Sequence, residues 1–194
     1  MSHQQFKNDM HSYLHDARET LAWKLGGLDE YDARRPMTPT GTNLLGLLKH
    51  SAGTHVRYFG DVFARSGAPM LPWGRTVSEP NIEFWATAEE SRDDIMSVCR
   101  EAWVFADATI DELPLDHVGH VPWWGGSAVT LHHVLVHVTA DTQRHAGHAD
   151  ILRELLDGSA GLLDGHDNLP SHDPDWWSEH RGRVERAASE ASLP

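Results

Sequence analysis

Between His132 and Asp150 the chain reads HHVLVHVTADTQRHAGHAD, and His137, Asp141 and His145 recur in it every four residues. The apolar positions around them keep a helical period. On a helix of 3.6 residues per turn, side chains four apart stack on one face and drift only slowly round the axis, so imidazole and carboxylate groups converge on one side. A helix that turns such a face inward has to lie against other helices able to meet it, which is how a helical bundle assembles a metal site.

The rest of the pattern supplies those helices. Apolar spacing predicts a first helix over residues 4–25, carried by Phe6, Met10, Tyr13, Leu14, Ala17, Leu21 and Leu25 and ended by Gly26 and Gly27. Residues 28–41, with Pro36 and Pro39, read as a turn or short helix followed by an extended connection. Thr42 is expected to cap a second helix over residues 43–65, with Leu44, Leu47, Leu48, Val56, Phe59 and Phe63 facing the core. A third helix opens on Thr87 and Glu90, the spacing of a capping box, and stops at Pro114. Thr130 caps the fourth, which reaches about residue 156 before Asp157 and Gly158. Residues 66–80 and 114–129 read as loops, and residues 174–188 as a short charged helix. The expected fold is all-α: an antiparallel four-helix bundle with a long loop between helices 2 and 3 and a short C-terminal helix. Residues 1–160 form the metal-binding bundle, and residues 161–194 a tail packing on it within the same domain.

Composition removes several classes of function. No stretch has the length of a spanning helix, and the N-terminus lacks the apolar run of a signal peptide, so no membrane partner and a cytoplasmic location are expected. The single cysteine, Cys99, excludes an intrachain disulfide and fits a reducing compartment; its apolar neighbours Met96, Val98 and Ala102 mark it as a packing residue. A formal charge of −13, from 16 basic and 29 acidic residues, argues against nucleic acid.

The chemistry rests on helices two and four. His50 follows the apolar run NLLGLLK, which must point inward, and so offers a ligand from a second helix. Imidazole and carboxylate together suit Zn, Ni, Fe, Mn or Co, and three protein ligands leave positions open for water or substrate. With fifteen histidines in the chain, four-residue pairings also arise by accident, and a lone helix histidine is more often a surface residue than a ligand.

Four features carry a family resemblance: TPTGTNLLGLLKHSAGTHVRYFG, the VPWW turn, TLHHVLVHVTADTQRHAGHADILRELLDG, and the order of the helices. Over residues 5–160 the chain resembles the DinB-like metalloenzyme superfamily, in the branch of the mini-circle proteins. The resemblance implies a four-helix bundle, homodimeric, holding one divalent metal at His50, Asp141 and His145, with Zn the first expectation and Ni, Fe, Mn or Co the alternatives. Related sequences place Glu or His where this chain has the shorter Asp141, which leaves open whether His137 completes the triad. His148 and His137 are candidates to orient a ligand or touch substrate. The implied activity is that of a transferase or isomerase in which the metal activates a small thiol, mycothiol or bacillithiol, toward an electrophilic small molecule. The alternative is a non-catalytic metal-bound bundle acting as a binding or stress-associated protein. Trp73, Trp123 and Trp124 are candidates to line the substrate pocket, and Arg57, Arg75 and Arg144 to clamp an anion.

Overall fold

The computed structural model describes residues 3–74 and 79–192. The chain forms two compact units, Met1–Ser159 and Ala160–Pro194. The first contains helices α1 (His3–Trp23), α2 (Glu30–Arg34), α3 (Leu44–Phe59), α4 (Arg92–Glu112) and α5 (Leu131–Asp157), with strands β1 (Val118–Val121) and β2 (Ser127–Thr130) before α5. The helical-bundle expectation holds: α3 packs on α4 and α5, and α1 on α5. Among the described residues no helix is long and apolar enough to cross a membrane.

Paired contacts give the helix directions. Lys7 Nζ donates to the carbonyls of Asp111 and Leu113, and Arg92 donates to that of Leu28, so α1 and α4 are antiparallel. His50 faces Asp141 while Tyr58 faces His137, so α3 and α5 are antiparallel as well. The remaining neighbours run parallel. Gln143 reaches Tyr13 and Arg153 reaches Lys24 along α5 and α1, and Leu48 meets Cys99 while Gly60 meets Phe105 along α3 and α4. Parallel neighbours need a connection that travels back along the bundle, and residues 60–91 make it.

Helix α3 is buried almost all round. Of its sixteen residues only His50, Arg57 and Tyr58 are not buried. Leu45, Leu48, Ala52, Val56 and Phe59 fill the core, and small residues let neighbours approach: a Cβ at Gly46 would lie 1.8 Å from the Phe84 carbonyl oxygen. Lys49, fully buried, is satisfied by the Glu90 carboxylate at 2.7 Å and by the Trp85 carbonyl at 2.9 Å. Cys99 packs in the same core with its thiol on the Leu48 carbonyl, and burial pushes that thiol up to about 12, which keeps it protonated at neutral pH.

Local chemistry shifts several expected boundaries. Asn43, not Thr42, caps α3: its side-chain oxygen accepts from Gly46 N at 2.7 Å. The helix stops at Phe59, and a 3-10 turn, Asp61–Phe63, follows it. Glu90 does accept from Thr87 N as a capping box requires, but it also takes the Lys49 charge, and α4 starts later, after Ser91, whose hydroxyl accepts from Asp94 N. The segment expected as a second loop is an antiparallel hairpin, with Val118 opposite Thr130 and Val121 opposite Ser127 and the 3-10 turn Pro122–Trp124 between the strands. Four-residue strands are too short to show an alternating pattern in sequence. Phe6 and Tyr13, expected to face inward on α1, remain exposed. In the second unit, Asp173 caps α6 (Pro174–Ala191), Trp177 Nε1 donates to the Ser171 carbonyl, and Trp176 meets Trp177 edge-on.

Two consequences can be measured. His55 is fully buried, with Nε2 accepting from Arg18 Nε at 2.9 Å and Nδ1 donating to the Ser51 carbonyl at 2.6 Å, which requires the neutral ring. Burial, then the Arg18 charge, lower its pKa from 6.5 to about 3. The unfolded chain therefore takes up this proton near pH 6.5 and the folded one near 3, so the His55 contribution to stability is complete above that window and lost as pH falls through it, by at most about 1.4 kcal/mol per pH unit. Urea unfolding from pH 7 to 4 should fall less steeply for His55→Gln than for the wild type, whatever the variant's stability at pH 7; equal slopes would refute the assignment. Separately, a Cβ at Gly119 would lie 2.5 Å from the Val62 carbonyl oxygen and 2.7 Å from the Phe63 ring. Gly119→Ala should lose about 1–3 kcal/mol in the same assay.

Candidate metal centre

The three open positions of α3 face one cavity. Its volume is about 370 Å³, and His50, Thr54, Arg57 and Tyr58 of α3 line it together with His137 and Asp141 of α5 and Trp123 of the hairpin turn. Positions 50, 54 and 58 are successive four-residue steps along α3, and 137 and 141 one such step along α5, so the cavity is the slot between two antiparallel helical faces.

At one end of the slot His50, Asp141 and His145 converge. His50 Nε2 lies 3.5 Å from Asp141 Oδ2, and His145 Nε2 lies 3.5 Å from Asp141 Oδ1. The potential ligand atoms of the three residues are all within 4.8 Å of one another, and among the described residues no other group of three or more histidine, cysteine or acidic side chains is gathered this closely. The buried Nδ1 atoms of His50 and His145 have no hydrogen-bond partner, and the Nε2 atoms lie toward the Asp141 carboxylate at 3.5 Å. That is the spacing of groups able to share an ion: bonds of about 2.0–2.2 Å at tetrahedral angles put two ligand atoms roughly 3.4 Å apart. Burial alone would raise the Asp141 pKa, but His145 and His50 outweigh it and hold the carboxyl well below the usual range, in the ionised form that ligates. For His50, burial opposes the charged ring, and Asp141 and Glu83 overcome it, so its pKa is raised.

Glu83 and Phe84 belong to the long connection between α3 and α4. Glu83 Oε1 lies 3.3 Å from His50 Nδ1, and its other oxygen accepts from Arg57 at 2.5 Å. His50 and Arg57 lower the Glu83 pKa against the opposing effect of burial. Phe84 stacks on the His50 ring with centroids 4.2 Å apart and planes 17° from parallel. At the other end of the slot the walls are aromatic. Trp123 meets Tyr58 edge-on at 5.1 Å, its Nε1 donates to Tyr58 Oη at 3.4 Å, and His137 lies 4.8 Å from Tyr58 and 5.1 Å from Trp124.

Several expected site residues meet here and others do not. His50, Asp141 and His145 form the cluster, while His137 lines the cavity among aromatic rings instead of joining it. Arg57 and Trp123 line the cavity, and Trp124 supports it through His137. Trp73 does not reach it; the ring is buried in the core with the Lys49 ammonium 4.9 Å from its centroid. Arg144 is exposed and does not line the cavity. His148 is exposed too, its ring edge-on to His145 at 5.5 Å. Arg75 lies outside the described residues. Thr54, Tyr58, Glu83 and Phe84 went unmarked in the sequence. The first two share the helical face of His50 and could have been found from its spacing, whereas Glu83 and Phe84 sit in irregular chain where no period points to them.

No curated protein matches the chain. The family model described as mycothiol-S-transferase matches residues 9–158, most of the 194-residue chain and nearly all of the bundle that holds the cluster and its cavity. The protein therefore belongs to the mycothiol-S-transferase family, within the DinB-like superfamily.

Proposed function

We propose that the protein is a divalent-metal-dependent S-transferase that joins a small thiol of the mycothiol type to an electrophilic small molecule. The observation that carries this reading is the convergence of His50, Asp141 and His145, the first two of which also line a partly open cavity of about 370 Å³. His50, Asp141 and His145 hold the ion, Zn in the first instance, and three protein ligands leave a position for substrate. When bound, the ion supplies a Lewis acid that lowers the pKa of a coordinated thiol from about 8.5, making thiolate available at neutral pH. In the overall reaction a sulfur–carbon bond forms as the bond from that carbon to its leaving group breaks, and the thiol proton leaves with that group or passes to solvent.

The chain's own residues bind and orient. Arg57 presents its guanidinium to the slot while Glu83 holds it, a placement suited to a carboxylate on the thiol or the electrophile. Trp123, Tyr58 and His137 give the far end flat apolar walls that keep water from the reacting pair and favour a planar electrophile. Cys99, buried and protonated, takes no part.

Metal content by plasma mass spectrometry on untagged protein, paired with titration of mycothiol and of bacillithiol, tests the reading. One equivalent of metal and thiol binding that depends on it are expected, with the preferred thiol naming the co-substrate. Metal without binding of either thiol would mean a structural ion, and protein purified without chelators that carries no stoichiometric metal would end the proposal. His50→Ala and His145→Ala should each lose the stoichiometric ion. Trp123→Ala touches no ligand, so it should keep the metal and raise KM for an aromatic electrophile about 2- to 10-fold, as the loss of one aromatic contact implies.

A further inference from the structure

We infer that Glu83 is the positioning residue of the metal centre: one carboxylate oxygen sets His50 with Nε2 as its ligating nitrogen, the other holds Arg57 against the cavity, and a crossover pinned to α3 puts it there. This rests on the reading of His50, Asp141 and His145 as metal ligands.

The two nitrogens of an imidazole point away from each other. His50 Nε2 looks toward Asp141, at 3.5 Å, and Thr54 Oγ1, at 3.2 Å, on the cluster side. Nδ1 looks the other way, is buried, makes no formed hydrogen bond, and faces Glu83 Oε1 at 3.3 Å. A ring that ligates through Nε2 carries its proton on Nδ1, and a buried N–H without an acceptor is costly. Glu83 is the carboxylate placed to accept that proton, as carboxylates behind metal-bound histidines do. Because it lies behind the ring, it is not a fourth ligand. Phe84, stacked on the same ring, restricts rotation of its plane.

The crossover is anchored to α3 and its cap, not draped over them. Asn43 Nδ2 donates to the Phe84 carbonyl at 3.1 Å, Lys49 Nζ donates to the Trp85 carbonyl and to Glu90, and Arg57 donates to Glu83. Gly46 lets the Phe84 backbone come closer than any side chain would permit. Four residues between positions 43 and 57 thus grip the stretch that carries Glu83 and Phe84, and three of them do so away from the cluster.

Zn²⁺ and Co²⁺ binding to metal-depleted protein, measured in competition with a chelator, separates positioning from simple structural support. Glu83→Gln keeps an oxygen for Arg57 and most of the packing, so the metal-free variant should still fold, with an unfolding temperature lowered only by the weaker pairing with Arg57. It should bind Zn²⁺ about 10- to 100-fold more weakly and show an altered Co²⁺ visible spectrum. Phe84→Leu leaves the backbone anchors in place and should weaken binding in the same direction, which keeps the test open if Glu83→Gln does not fold. Tight wild-type binding with both variants within twofold of it would overturn this inference alone. A wild type that binds neither ion would overturn the metal-centre reading and this inference with it.

Discussion

A helix with almost no solvent face sets the terms for the rest of the bundle. Helices α1, α4 and α5 all touch it, and its buried Lys49 and His55 are each met from another element, because an unpaired charge or ring nitrogen in the core is strongly destabilising. Lys49 requires Glu90 and so fixes where the chain turns into α4. His55 requires Arg18, which in turn is balanced by Asp107, tying α1 and α4 to the same helix. The few positions left unburied, His50, Arg57 and Tyr58, are the ones that open on the cavity, so core packing and the shape of the site are one constraint seen from two sides.

Topology explains why the site draws on distant stretches of chain. Because α3 and α4 run parallel, the connection between them has to return along the bundle, and it does so gripped by Asn43 and Lys49, beside His50. The antiparallel pairing of α3 with α5 brings residue 50 level with 141 and 145, and residue 58 level with 137. A hairpin between α4 and α5 delivers Trp123 to the other end. The slot is therefore polar at one end, beside the cluster of His50, Asp141 and His145, and aromatic at the other.

Much of this was legible in the residues. Helix number, the Thr130 cap, the C-terminal helix and the inward face of residues 44–59 follow from apolar period and capping chemistry, which act over a few residues. His50 and the series His137, Asp141 and His145 stood out because side chains four apart on a helix share a face, and the resemblance to the DinB-like superfamily singled out His50, Asp141 and His145 among them. Which two of His137, Asp141 and His145 meet His50 could not be read from spacing alone. Steps of four residues drift by about 40° each, and that drift turns His137 toward Tyr58 and Trp124 and His145 toward His50 only once α3 and α5 are set against each other. Trp73 shows the same limit in reverse: a tryptophan in a Gly- and Pro-rich segment looks like a pocket wall, yet a buried lysine draws it into the core.

The amino-acid sequence by itself determined an all-α bundle, its amphipathic faces and a set of side chains able to hold one divalent ion, because these depend on period and on the chemistry of near neighbours in the chain. Only the tertiary structure decided the parallel course of α3 and α4, the hairpin, the slot with its aromatic end, and the arrival of Glu83 behind His50. Those features depend on how helices far apart in sequence bury one another, and an irregular crossover carries no periodic signal of the residue it will be placed against.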